Sequence, residues 1–119
     1  MKPRSAKAKG RRLQNKIRDL ILESFPQLEN DDVKSAIMGE SGEDIKLSPA
    51  ARNLFPYSVE AKNVEKLNIW KALEQSEANT KENTTPLLFF KRNNSKIYVS
   101  LEADHFLELV KRLDNCSDS

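Results

Sequence analysis

The sequence predicts an α/β fold in which helices flank a central mixed sheet of five strands. Two observations carry this prediction. Apolar residues recur at helical spacing near the start, the middle and the end of the chain, and short runs of strand character lie between them. The predicted order of helix, three strands, helix, two strands and helix is typical of an α/β sandwich. Because the chain has 119 residues, of which 38% are hydrophobic, a single domain is expected.

The first predicted helix begins near Lys9 and ends at about Ser24. Its apolar residues recur at helical spacing, and Phe25-Pro26 stops the pattern. Residues 1–8 are predicted to form a flexible basic arm, and residues 114–119 a disordered tail. The domain is therefore expected to span residues 9–113.

Three strands and a short helix are predicted next. Ser48-Pro49 has the pattern of a helix cap followed by proline at the first helical position, so a short helix is expected over Pro49–Leu54. Apolar and alternating segments on either side of it predict strands. These strands are Val33–Met38, Asp44–Leu47 and Tyr57–Lys62.

The second half of the chain is predicted to add two strands between two helices. Asn68 is a suitable cap for a helix that ends at about Asn79. Pro86–Phe90 is an apolar run typical of a strand buried on both faces, and Ile97–Leu101 follows as the fifth strand. The final helix is amphipathic, and its predicted buried side consists of Phe106, Leu107, Leu109, Val110 and Leu113.

The net charge of +2 conceals a strongly basic start. Basic residues recur from Lys2 to Arg18, and no acidic residue lies among them. A basic segment that leads into a helix suits nucleic-acid binding, because each neutralised phosphate releases counterions. A solvated leader that keeps the protein soluble explains the same charge equally well.

Composition argues against several classes of protein. No stretch approaches the roughly 20 apolar residues that cross a bilayer, so no membrane association is expected, and the start lacks the apolar run of a secretory signal. Cys116 is the one cysteine, which favours a cytoplasmic location. His105 is the one histidine, so a zinc site is not expected. The sequence has no Walker loop and no serine elbow.

Asp44, Glu60 and Lys62 form the set of residues with the clearest chemical potential. Phosphodiester hydrolysis needs an activated water and a cation such as magnesium, which one or two carboxylates can hold, and a nearby lysine can stabilise developing charge. Glu60 and Lys62 are two residues apart on a predicted strand, so they leave the same face. Asp44 would lie close to both residues if its strand is next to the strand that carries them. Alternatively, Glu60 and Lys62 are an exposed charge pair and Asp44 is a turn residue.

The pattern of Asp44, fifteen residues, and then Glu60-Ala61-Lys62 resembles the PD-(D/E)xK nuclease superfamily. The chain looks similar to small phage-type endonucleases and archaeal Holliday junction resolvases over roughly residues 9 to 101. The resemblance implies a restriction-endonuclease-like core and a Mg²⁺ ion, with Mn²⁺ able to substitute, bound by Asp44, Glu60 and the Ala61 carbonyl. Lys62 would serve the attacking water. The implied activity is an endodeoxyribonuclease acting on branched DNA in recombination or repair, in the host cytoplasm if a phage encodes it.

The sequence departs from the family pattern at two positions. Resolvase-like members carry a glutamate four residues after a glycine of the first helix, whereas here Gly10 is followed by Gln14. An amide can hydrogen-bond a metal-bound water or a phosphate, but it is not an anionic ligand. Glu43 stands where the family has proline. Gln75, on the helix after the catalytic strand, is a further candidate, because family members often carry a polar residue there.

The predicted partner is DNA, with contacts from Lys9, Arg11, Arg12, Arg18, Asn63 and Lys71. Simpler explanations exist for some of these residues, since Asn63 could merely end the strand, and Lys71 and Gln75 could form a solvated face. Junction resolution needs two active sites, so a homodimer is an alternative to a monomer. Leu107, Val110 and Trp70 are predicted either to form its interface or to lie in the core. A non-catalytic nucleic-acid-binding module and a purely partner-binding protein are the competing functions.

Overall fold

Four helices and five strands make up the computed structural model, which describes residues 3–37 and 39–117. The predicted α/β class is confirmed. A single 3-10 turn, Asn30–Asp32, precedes the first strand. In chain order the elements are α1 (Pro3–Ser24), β1 (Val33–Ser35), β2 (Ile45–Leu47), α2 (Pro49–Leu54), β3 (Tyr57–Asn63), α3 (Ile69–Ala78), β4 (Thr85–Lys91), β5 (Tyr98–Ser100) and α4 (Ala103–Ser117).

The strands form two sheets, so the prediction of one five-stranded central sheet is wrong. β1 and β2 form an antiparallel pair. β3, β4 and β5 form a second sheet in which β3 and β4 are parallel and β5 is antiparallel to β4. β2 does not pair with β3. Just before β2, the backbone N–H of Asp44 donates to the Val59 carbonyl at 2.8 Å, as a ladder bond would. No ladder follows, because the Asp44 carboxylate and not a backbone carbonyl accepts the next N–H, that of Ala61.

The apolar core lies where α1 packs against both sheets. Leu13, Ile17 and Ile21 of α1 are buried there, as the helical spacing predicts, and they meet Val33, Ile45, Ala51 and Val59. Val59 faces this core, whereas its neighbour Glu60 bonds to Asn79 at the end of α3. Since successive strand residues face opposite sides, α1 and α3 cover opposite faces of β3.

α1 begins at Pro3, well before the predicted start near Lys9. The predicted arm over residues 1–8 is therefore helical from residue 3, and Met1 and Lys2 lie outside the described residues. Apolar periodicity could not reveal these first turns, because they bury almost no apolar side chain. Alanine and lysine, which favour helices, and the proline at the first position explain why the helix extends.

The two central helices have the predicted bounds to within a residue. Ser48 Oγ accepts the Ala51 N–H at 3.1 Å and caps α2, and Asn68 Oδ1 accepts the Lys71 N–H at 3.1 Å and caps α3. β1 is shorter than predicted, since it ends at Ser35, and Met38 lies outside the described residues. Within β4, Leu87 and Leu88 are buried, as expected of an inner strand.

α4 does not bury the apolar side that its pattern predicts. Its exposed apolar side chains are Phe106, Leu107, Val110 and Leu113. His105 attaches its first turn to β3 through a 2.7 Å hydrogen bond between His105 Nε2 and Tyr57 Oη. Amphipathic spacing shows that a face can pack against a partner, but not that the partner lies in the same chain. The helix continues to Ser117 through most of the predicted tail, and residues 118–119 lie outside the description.

The helices offer no membrane span: among the described residues, none is both long and apolar enough.

Candidate active site

Asp44 is fixed against β3 by two hydrogen bonds. Its backbone N–H donates to the Val59 carbonyl at 2.8 Å, and its Oδ2 accepts the Ala61 N–H at 2.7 Å. The Asp44 side chain thus takes the place of a neighbouring strand's backbone along the edge of β3 that does not pair with β4. Asp44 therefore lies directly beside the Glu60-Ala61-Lys62 segment, although it stands before β2 and β2 does not pair with β3.

Glu60 and Lys62 share one face of β3, as the strand alternation predicts. Lys62 Nζ lies 3.6 Å from Glu60 Oε2. Glu60 is only 4% exposed, whereas the Lys62 side chain is 27% exposed. The alternative of an exposed charge pair does not describe this geometry, because the carboxylate is buried. A buried carboxylate is rare unless it is paired or has a function.

The surroundings of Asp44 and Glu60 raise the pKa of both carboxylates. Burial raises the pKa of Asp44, and the Ala61 N–H and the Lys62 ammonium oppose that rise. Burial, and then the negative charge of Asp44, raise the pKa of Glu60, opposed by Asn79 and Lys62. Since each effect disfavours the charged form, a bound divalent cation would relieve both desolvation and mutual repulsion.

Asn79 is a site residue that the sequence interpretation missed. It is the C-cap of α3, and its Nδ2 donates to Glu60 Oε1 at 3.2 Å. Gln75, the predicted candidate, lies one turn earlier on the same helix and is exposed. The sequence does place Asn79 one turn after Gln75, at the end of the predicted helix. It does not show that the end of this helix lies beside Glu60.

Glu43 holds the turn from which Asp44 projects. It is buried, and Arg52 binds it with two hydrogen bonds, Nη1 to Oε2 at 3.1 Å and Nη2 to Oε1 at 2.6 Å. Arg52 Nη1 also donates to the Tyr57 carbonyl at 2.9 Å. Gly42, just before Glu43, has a φ of 93°, which favours glycine. Glu43 therefore joins the Asp44 turn, through Arg52, to α2 and β3.

A cavity of about 190 Å³ lies between α1 and Asp44. Its lining includes Lys7, Arg11, Gln14 and Asp44. Gln14 therefore approaches Asp44 from the α1 side of the sheet, whereas Glu60 and Lys62 leave β3 on the α3 side. Asp44 lies at the unpaired edge of β3, between the cavity on the α1 side and the Glu60 and Lys62 side chains on the α3 side.

The predicted DNA-binding residues do not form one surface. Lys9, Arg12 and Asn63 line a second cavity, of about 550 Å³, on the other flank of α1. Arg18 is paired with Asp19 at 2.9 Å. Lys71 is exposed on α3. The structure thus separates these residues into at least two locations around α1 and one on α3.

The donor set at Asp44 suits a hard cation with few protein ligands. Among the described residues, no group of three or more His, Cys, Asp or Glu side chains could hold a metal ion. The nearby groups that could bind a cation are the carboxylates of Asp44 and Glu60 and the carbonyl of Ala61. In a strand, the N–H and C=O of one residue face the same neighbour, so the Ala61 carbonyl leaves β3 on the Asp44 side. Magnesium accepts such a set, since it retains several waters.

No protein-family model, curated protein or solved structure matches the chain significantly. The functional interpretation therefore depends on the geometry around Asp44 and on the resemblance of its sequence pattern.

Proposed function

We propose that the protein is a magnesium-dependent endonuclease that hydrolyses phosphodiester bonds in DNA, built on a restriction-endonuclease-like core. The observation that carries the proposal is the bond between Asp44 Oδ2 and the Ala61 N–H, which brings a second carboxylate to the buried Glu60 and its neighbour Lys62. Two carboxylates and a lysine on rigid backbone are the minimal set for metal-assisted hydrolysis.

Asp44, Glu60 and the Ala61 carbonyl are the proposed ligands of Mg²⁺, for which Mn²⁺ could substitute. The cation would neutralise charge on the phosphoryl oxygens and lower the pKa of a bound water. Lys62 orients that water or stabilises the developing charge, because its ammonium lies beside Glu60 and is partly accessible to solvent.

Asn79 and Gln14 have supporting roles in this proposal. Asn79 donates a hydrogen bond to Oε1 of Glu60, and Oε2 of the same carboxylate faces the Lys62 ammonium. Positioning of a metal-binding carboxylate by a hydrogen-bonded neighbour commonly matters for affinity and activity. Gln14 lines the cavity beside Asp44 and can donate to a phosphate oxygen there.

The proposed partner is DNA, because the first half of α1 carries basic side chains into cavities on two of its flanks. Branched DNA is favoured as the substrate by the resemblance to resolvases, with a role in recombination or repair and a cytoplasmic location. Cutting two strands of a junction requires two active sites. A homodimer is therefore part of the proposal, and Leu107, Val110 and Trp70, all exposed, are its candidate contacts.

A cleavage assay tests this proposal. The protein is incubated with supercoiled, linear and four-way-junction DNA in Mg²⁺, in Mn²⁺ and in excess chelator. We expect cleavage of at least one substrate that requires the metal and disappears in Asp44→Ala. Cleavage that persists in chelator or in Asp44→Ala would assign the activity elsewhere.

A non-catalytic nucleic-acid-binding module is the second candidate function. Gln14, in the position of the family's glutamate, is the observation that favours it, because the cavity beside Asp44 lacks that carboxylate. Salt-dependent DNA binding without turnover in any divalent metal would support this function and exclude the first. Absence of DNA binding even at low salt would instead indicate a protein-binding role.

A further inference from the structure

The larger basic cavity, of about 550 Å³, lies away from Asp44, between α1 and the ends of β3 and β4. Its walls carry four cationic side chains, Lys9, Arg12, Lys16 and Lys91, together with the amides of Asn63 and Asn93. Among the described residues, no acidic side chain contributes to its lining. So many cations without a counter-charge, in a concave site, attract anions strongly.

Lys9 is the residue that distinguishes this cavity from an ordinary basic surface. It is only 6% exposed, and its Nζ is buried without a hydrogen-bond partner. Burying an ammonium group is costly unless an acceptor compensates it. A ligand with acceptor oxygens in this cavity would supply the partner that the buried Lys9 ammonium lacks among the protein groups.

Asn63 is the second polar group left incomplete in the same cavity. Its Oδ1 is buried without a partner, and its Nδ2 makes only a long contact of 3.5 Å to the Lys9 carbonyl. The NH₂ group of an asparagine carries two N–H donors, so Asn63 keeps donor capacity beyond this one contact. Lys9 and Asn63 can therefore donate together to one anion.

We propose that this cavity is a phosphate-binding site, distinct from the Asp44 site and independent of hydrolysis. Lys9, Arg12 and Lys16 recur at helical spacing on one flank of α1, whereas Lys7, Arg11 and Gln14 line the cavity on another flank. Since a helix is only about 10 Å across, a nucleic-acid strand that crosses α1 could place a phosphate in each cavity. The ligand is either an internal phosphodiester of such a strand or a terminal or free phosphate.

Inorganic phosphate, titrated without divalent metal at constant ionic strength, tests the site directly. The melting temperature of the wild type is expected to rise with phosphate and not with chloride, because a ligand of the folded state stabilises it. Lys9→Met keeps the length of the side chain and is expected to weaken phosphate binding about 10- to 100-fold, as expected for a lost charge-assisted bond. Lys111→Met, at an exposed position on α4, is the matched control and should bind phosphate as the wild type does.

Two further measurements identify the source of the phosphate and guard against an unfolded variant. Arg12→Gln replaces an exposed side chain of the same cavity, so it should fold and show a smaller loss. Single-stranded oligonucleotides with and without a 5′-terminal phosphate are then bound to Asp44→Asn protein in chelator. A loss caused by Lys9→Met that is confined to the phosphorylated oligonucleotide indicates a terminal phosphate, whereas an equal loss for both indicates an internal one.

Unchanged binding of phosphate and of both oligonucleotides in Lys9→Met and Arg12→Gln would overturn the proposal. That result would leave the proposed hydrolysis untouched, because it concerns binding without metal. Conversely, absence of cleavage by the wild type would not affect the phosphate titration.

Discussion

Glu60 and Lys62 are the two residues of β3 on which the proposed chemistry depends. They lie two positions apart, and Lys62 Nζ is 3.6 Å from Glu60 Oε2, an arrangement that strand alternation predicts. The position of Asp44 beside them depends instead on the turn before β2 and on the bond to the Ala61 N–H. Asn79 and Glu43 were not predicted as site residues, because their partners, Glu60 and Arg52, are distant in sequence and no local periodicity connects them.

Removing the Lys62 ammonium should impair chemistry more than metal binding. Lys62→Met is expected to slow cleavage about 10²- to 10³-fold, the usual effect of deleting one donor to developing charge. The stabilisation of the protein by Mg²⁺, measured as a shift in melting temperature, should persist because Lys62 is not a ligand. Lys66→Met, at an exposed position after β3, is the matched control. Undiminished cleavage by Lys62→Met would show that Lys62 has no catalytic role.

Breaking the pair of Glu43 and Arg52 should destabilise the fold. Arg52→Ala leaves the buried Glu43 carboxylate without its two hydrogen bonds, which typically costs about 3–5 kcal/mol for a buried pair. The free energy of unfolding in urea measures the effect, with Arg92→Ala, at an exposed turn position, as the control. A loss below about 1 kcal/mol, the range of surface ion pairs, would contradict the structural role assigned to this pair.

α1 is the element on which both proposed sites depend. Its apolar side, with Leu13, Ile17 and Ile21, was evident from helical spacing. Its early start at Pro3 was not, because the first turns carry basic and small residues that do not enter the core. Two different flanks of α1 line the two cavities. Gln14 lines the cavity beside Asp44, and Lys9 lines the larger cavity. Helix bounds near caps were predictable. The division of the strands into two sheets was not, since it depends on the Asp44 side chain accepting the Ala61 N–H in place of a strand backbone.

Introducing a carboxylate at position 14 of α1 should strengthen the response to metal. Gln14→Glu adds an anionic group to the cavity that Asp44 lines, and affinity for a hard cation rises with the number of charged ligands. We expect the Mg²⁺ concentration for half-maximal cleavage to fall about tenfold. Gln27→Glu, at an exposed position outside both cavities, adds the same charge as a control. Identical Mg²⁺ titrations for wild type and Gln14→Glu would show that position 14 does not reach the metal.

At the scale of the whole molecule, the exposed side of α4 is the largest departure from the sequence prediction. Phe106, Leu107 and Val110 are each about half exposed or more, at 52%, 61% and 45%. Contiguous exposed apolar residues on a helix commonly mark protein contacts. Packing within the described residues leaves this amphipathic pattern unexplained, and the proposed homodimer would explain it by covering this face with a second copy.

The proposed homodimer predicts a dimeric mass in solution. Sedimentation velocity of the wild type at tens of micromolar should give a dimer, and Leu107→Glu should give a monomer, because a charge in an apolar interface is costly. Glu108→Gln, whose side chain pairs with Arg112 on the same helix, serves as the control. A wild type that sediments as a monomer at the highest soluble concentration would contradict the dimer.

The rate at which Asp44→Asn cleaves the DNA substrate that the wild type cleaves under Mg²⁺, with four-way-junction DNA tried first, tests the central claim most directly. The substitution keeps the shape of the side chain and its acceptor oxygen for the Ala61 N–H but removes the charge that the metal requires. The expected result is metal-dependent nicking by the wild type and by the exposed control Asp114→Asn, and a loss of at least about 10³-fold in Asp44→Asn. Equal rates for Asp44→Asn and the wild type would contradict the assignment of Asp44 to a hydrolytic metal site.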